Sequence, residues 1–331
     1  MRQAAHDTDA PVLAPWGQDP SSPPGAEQKD IISALTRVLT SAGLDSEGRA
    51  LAHALRGREH YNAKEMEASL ADFTVALDLA PRLARTLAGR GRTYFPAQRY
   101  NEALTDLERL IELEPHNAWA HALRGRTYQA RGQYDDALTD YTRVLELDPG
   151  NVWARTQRGD TYQAIGRYDA VLTDLDRVLE LEPDNAWAFA VRGKTYRLMG
   201  RYDDALADLT AGSALDPADA WIPYELAAVL YLLGMPGWEA QSLRAEQLHR
   251  DAGADGSLSA TDTSGNLFFL QCVRQDWTRA ARTLEEFLGS GPSDERRREA
   301  ADDLEEAVEI FCLPTEPVQS LRRMLRRTLP R

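Results

Sequence analysis

Arginine recurs at Arg56, Arg90, Arg124, Arg158 and Arg192, and aspartate at Asp72, Asp106, Asp140, Asp174 and Asp208, each 34 residues after the last. A guanidinium and a carboxylate form bidentate, charge-assisted hydrogen bonds, so these rows suit one another or a charged ligand. A second basic row stands two residues behind the arginines, at Arg58, Arg92, Arg126 and Lys194, interrupted by Asp160. Trp119, Trp153 and Trp187 share the period. Residues suited to catalysis are scattered by comparison. His6, His53, His60, His116, His121 and His249 show no metal-ligand spacing. Cys272 and Cys312 fall on apolar stripes, which fits buried thiols better than a nucleophile. The sequence holds no phosphate-binding loop, dinucleotide fingerprint or nucleophile elbow. This is recognition chemistry: no enzymatic activity, cofactor or metal is expected.

Rows with one period need a structural unit of that length to position them. Prolines at Pro81, Pro115, Pro149, Pro183 and Pro217, and a glycine after each row arginine, keep the same register. Within one unit, Tyr134, Ala137, Leu138, Tyr141 and Leu145 form an apolar helical stripe. Gly132, Gly166 and Gly200 break the chain before it, and Asn117, Asn151, Asn185 and Asp219 are suited to cap the next helix. Each unit therefore reads as two helices.

The stretch Ala118 to Pro149, AWAHALRGRTYQARGQYDDALTDYTRVLELDP, resembles the tetratricopeptide repeat. With Ala118 as the first position, Gly125, Tyr128, Ala137, Tyr141 and Pro149 match the family's small, aromatic, alanine, aromatic and proline positions. The resemblance runs from about Ala50 to Pro217, and a degenerate sixth copy fills 218–250. It implies an all-α fold, a right-handed superhelix (α-solenoid) that binds a protein or peptide in its concave groove. The chain departs from the family where leucine is usual, at the arginine row. Each of these arginines is expected to pair with the aspartate of its own repeat across the helix–helix interface.

In the family, first helices line the groove through the second, fifth, ninth and twelfth positions. Those positions share a helical face. Here they supply Arg85, Trp119, Trp153 and Trp187, then small residues, then Arg58, Arg92, Arg126 and Lys194, then Tyr61, Phe95 and Arg197. This set suits an extended acidic peptide with apolar or aromatic anchors. The tryptophans either face the groove or pack on the neighbouring repeat.

Outside the repeats, 1–29 is Pro-rich and reads as a disordered tail, 30–49 as an N-terminal cap helix, 251–266 as a linker and 267–331 as a small C-terminal helical bundle. The last helix carries Arg322, Arg323, Arg326 and Arg327 beside an apolar stripe, and is expected to pack on the acidic 302–306 segment rather than on a membrane. Net charge of −14 argues against general nucleic-acid binding. The acidic excess lies on the second helices, as at Asp135, Asp136, Asp140 and Glu146, and reads as a solvated outer face. Two cysteines, no apolar leader and no membrane-length apolar run point to a cytoplasmic protein. The expected function is a non-catalytic interaction scaffold. Alternatives are a regulatory or sensory subunit acting through the C-terminal helices, or a scaffold that self-associates end to end.

Overall fold

A computed structural model describes residues 25–41, 43–256 and 258–328; of the expected tail 1–29, residues 1–24 lie outside them, and 25–29 are helical, so the expected N-terminal helix starts at Gly25 and not at 30. The described residues form seventeen helices and no strand. They fall into two compact units that divide between Asp174 and Leu175.

The first unit opens with α1 (Gly25–Thr40), followed by the hairpins α2 (Ser46–Asn62) with α3 (Met66–Leu79), α4 (Ala84–Tyr94) with α5 (Tyr100–Leu113), and α6 (Ala118–Ala130) with α7 (Tyr134–Leu147). It ends with α8 (Val152–Ala164) and the start of α9 (Tyr168–Leu181). Small residues let paired helices approach closely. A Cβ on Gly125 would meet the Tyr141 ring at 3.0 Å, and one on Gly57 the Phe73 ring at 3.0 Å. The side-chain oxygens of Asn117 and Asn151 accept the amides of Ala120 and Ala154 at 3.0 and 2.9 Å, as expected of N-caps.

Every expected arginine–aspartate pair of this unit forms. Nε and Nη2 donate to the two carboxylate oxygens in Arg56–Asp72, Arg90–Asp106, Arg124–Asp140 and Arg158–Asp174, at 2.6 to 2.9 Å. Asp140, grouped above with the solvated outer face, is buried for this reason. The Arg56 guanidinium holds the Asp72 carboxyl below its ordinary range against the opposing effect of burial. His53 and His121 add a third contact, at 2.8 and 2.9 Å, to Asp72 and Asp140. The free Nη1 reaches back to the preceding second helix, from Arg90 to Thr74 and from Arg158 to Thr142. For Arg56 the acceptor is Thr36 on α1, which thus stands in for a preceding unit.

The second unit holds the rest of α9 and the hairpins α10 (Ala186–Leu198) with α11 (Tyr202–Leu215), α12 (Ile222–Leu232) with α13 (Trp238–Ala254), and α14 (Ala260–Val273) with α15 (Trp277–Gly289). Arg192 repeats the pattern, on Asp208 at 2.7 and 2.9 Å and on Asp176 at 2.7 Å. Asp219, expected as the N-cap, instead closes the turn ahead of α12, accepting from the amides of Trp221 and Ile222, and the helix starts after Trp221.

The expected linker at 251–266 is largely helical. α13 runs to Ala254 and α14 starts after Ser259, whose hydroxyl accepts the Asp262 amide at 3.0 Å. Ser, Thr and Asp there act as cap and first turn rather than as loop. The turn after α14 also repeats the solenoid's own turn. Gln275 takes φ 57°, its amide donates to the Cys272 carbonyl and that of Asp276 to the Gln271 carbonyl. Gly132 and Gln133 do the same with Gln129 and Tyr128. α14 and α15 thus form a further helical hairpin, and α14 packs on both α13 and α16.

The chain ends with α16 (Asp294–Phe311) and α17 (Thr315–Thr328). Leu321 and Leu325 of α17 are buried, and Arg322 donates to Glu305 of α16, as expected of intramolecular packing. Cys272 is buried, and burial raises its thiol pKa. Cys312, expected to be buried, is exposed because it ends α16 in the left-handed region at φ 48°. Among the described residues no helix is long and apolar enough to cross a membrane.

Candidate partner-binding site

The site is built on the first helices of the hairpins. In the first unit the ninth-position arginines stack on twelfth-position rings of the preceding repeat. The Arg92 guanidinium lies 4.6 Å from the Tyr61 ring centre and its Nε donates to the Tyr61 hydroxyl at 3.1 Å. Arg126 lies 4.7 Å from the Phe95 ring. Stacking engages a guanidinium's face, whereas carboxylates are bound through its in-plane N–H groups, so the two interactions are compatible. Arg58, the first member of the row, donates to the neighbouring Glu59 carboxylate at 2.6 and 2.8 Å. Arg85 is exposed.

The tryptophans resolve differently. Trp119 is only 7% exposed and belongs to the core around Leu87, Leu107 and Val144. Trp153 is half-buried, packed on that core and edge-on to Tyr141 at 5.9 Å. Both rings pack between repeats, whereas Leu51 and Arg85 at the same repeat position are exposed. Tyr141 itself is buried, which pushes its phenol pKa up, and it donates to Gln129 Oε1 at 2.8 Å.

In the second unit Trp187 is half-buried. Lys194 lies 5.6 Å from the Trp221 ring centre. Arg197, expected in the groove, is taken up internally. It is 6% exposed, with Nε on Glu225 of α12 at 2.8 Å and Nη2 on Glu306 of α16 at 2.6 Å. The two carboxylates raise the pKa of this buried guanidinium against desolvation. The pairing of Arg92 with Tyr61 was legible only as a constant 31-residue separation, shared by Arg126 and Phe95. Capture of Arg197 by α16 had no local signal.

Stacked helical hairpins that present a face of first helices define a helical-repeat protein. Family models agree on which kind. One described as TPR repeat matches residues 125–166 and 193–234, and three described as tetratricopeptide repeat match 94–139, 154–185 and 175–207. Residues 94–234 therefore carry tetratricopeptide repeats. No curated protein matches its sequence. Among solved structures it is similar to YrrB, a TPR protein with an unusual peptide-binding site. The TM-score is 0.51 at 24% identity, over 62% of this chain and 100% of that one. It is also similar to a tetratricopeptide repeat protein from Parabacteroides merdae, with a TM-score of 0.58 at 17% identity, over 84% and 99% of the two chains. Both likenesses concern the fold.

Proposed function

We propose that the protein is a non-catalytic interaction scaffold whose first unit binds an acidic segment of a protein partner across its first helices. The observation that carries this reading is the repeated guanidinium-on-ring pair, Arg92 on Tyr61 and Arg126 on Phe95. Two cations held one repeat apart by aromatic platforms make a spaced receptor for carboxylates, with ring edges beside them for apolar anchors. Ordering these long side chains in advance lowers the entropy lost on binding. The family supports an interaction role in general, and YrrB's peptide-binding site is a precedent within the same fold.

The test is affinity capture with mass spectrometry, run in parallel on the wild type and on Arg92→Glu/Arg126→Glu with its fold verified by circular dichroism. A partner retained by the wild type and lost by the folded variant supports the site. A partner retained equally by both removes it from this face.

A further inference from the structure

In the first unit α1 has the register of a second helix but no first helix of its own. Thr36 accepts from Arg56 Nη1 at 3.0 Å as Thr142 accepts from Arg158 Nη1 at 3.1 Å. The run Thr36-Arg37-Val38-Leu39 also repeats Thr142-Arg143-Val144-Leu145. This register aligns Ile31 with Ser69, Ala103 and Ala137, and Val38 with Ala76, Leu110 and Val144. All six of those residues are at most 1% exposed. Their positions face the first helix of the same hairpin. A Cβ on Gly57 of α2 would stand 3.2 Å from the Ser69 carbonyl oxygen, and one on Gly91 of α4 would stand 3.7 Å from that of Ala103. Gly212 of α11 lies at the Val38 register, and a Cβ there would stand 3.1 Å from the Ala186 carbonyl oxygen of α10. Ile31 and Val38 are instead 36% and 42% exposed. The surface that a first helix covers in the following hairpins is therefore open on α1. Sequence argues against residues 12–24, where the register would put that helix. They include Pro15, Pro20, Pro23 and Pro24, and proline in a helix interior removes a hydrogen bond and clashes with the preceding turn.

We propose that α1 of a second copy covers this face, making the protein a two-fold dimer through antiparallel α1 helices. Ile31 and Val38 are seven residues apart, about two turns, so they lie on one stripe. A two-fold axis between residues 34 and 35 sets Ile31 of each copy against Val38 of the other. The charges beside the stripe favour a second copy over an unrelated helix. Asp30 and Arg37 are exposed, share one flank and are also seven residues apart. Antiparallel pairing brings Asp30 of each copy beside Arg37 of the other, so the patch is complementary to itself in shape and in charge. Such an isologous contact closes at two copies.

Sedimentation velocity of the full chain over a wide concentration range tests this, and a reversible monomer–dimer equilibrium is expected. Ile31→Glu/Val38→Glu should weaken it at least about a hundredfold, because each copy would bury two carboxylates in an apolar seam. Circular dichroism of that variant should match wild type, since both positions are exposed in a single chain. If the glutamates unfold α1, Ile31→Ser/Val38→Ser gives the same readout. Arg37→Glu should weaken the dimer about tenfold by setting like charges together, and Asp30→Arg/Arg37→Glu should restore it. A chain that stays monomeric at every concentration overturns the proposal, and a melting temperature lowered by the same substitutions in that monomer would put the cover within the chain. A dimer that persists in the Ile31/Val38 variants also overturns it, because the contact would lie elsewhere. Failure of the double charge exchange to restore a dimer that Arg37→Glu had weakened overturns the antiparallel pairing.

Discussion

Arg158 holds Asp174 through Nε at 2.9 Å and Nη2 at 2.6 Å, and turns its remaining amino group back to Thr142 at 3.1 Å. One side chain thereby ties the two helices of its own repeat and the second helix of the repeat before. The carboxylate is 2% exposed, so removing its partner would strand a buried charge.

Substituting one member of such a pair should therefore cost more than a surface ion pair would. Asp140 is 1% exposed and also accepts from His121. Asp140→Ala is expected to destabilise by about 3 kcal/mol, because Arg124 loses both of its carboxylate bonds. The double variant Asp140→Leu/Arg124→Met should recover much of that loss. Urea-denaturation midpoints of the singles and the double check this, and a single variant within about 0.5 kcal/mol of wild type would show the pair to be inert.

The turn residues set a second expectation. Lys64 and Gln98 adopt φ 60° and 56° at the register positions where Gly132, Gly166 and Gly200 adopt φ 71° to 74°. A side chain in that region costs roughly 1 kcal/mol, which glycine avoids. Gln98→Gly and Lys64→Gly should each stabilise by up to about 1 kcal/mol, whereas Gly132→Ala should destabilise by a similar amount. Thermal melts that show both glycine replacements lowering the melting temperature would contradict this account.

The buried triad of the second unit predicts a ranking. Glu225 is 1% exposed, while the Glu306 side chain keeps 31%. Glu225→Gln should cost about 3 kcal/mol and Glu306→Gln about 1 kcal/mol, since only the first change occurs where no water can compensate. Chemical denaturation of the two variants side by side decides the order.

Acid sensitivity should come in two windows. Burial pushes the His249 imidazole down to about 4. The unfolded chain then binds its proton near pH 6.5 and the folded chain does not, so stability falls as pH drops from about 6.5 to about 4, by up to roughly 3 kcal/mol. Asp72 acts lower. Its folded carboxyl titrates below the ordinary value, so its contribution is present above about pH 4 and disappears as pH falls through the folded value. Melting temperatures measured across pH for wild type and His249→Gln should diverge in the upper window and run parallel below it.

Much of this architecture is readable from spacing. The repeat register located the helices, the caps and the arginine–aspartate pairs, because each depends on residues within one or two units of each other. Lys64 and Gln98 hid their turns, since their types give no sign of positive φ. Ser259 and Asp262 look like loop residues until a helix follows them. The Arg197–Glu306 pair spans 109 residues and carries no periodic mark. Trp119 and Trp153 were ambiguous because a large amphipathic ring suits a binding surface and an inter-repeat seam equally well.

The reach of the row arginines also bears on how such a chain is inherited. Arg158 meets Asp174 sixteen residues ahead and Thr142 sixteen behind. If residues 118–151 were lost in recombination between copies, Arg158 would keep Asp174 and find Glu108 where Thr142 had been, an acidic acceptor in place of a hydroxyl. Gain of a copy would be equally well accommodated. Loss or gain of one whole unit would therefore leave the row arginines with acceptors on both sides, because their contacts are set by the 34-residue register and not by the number of copies.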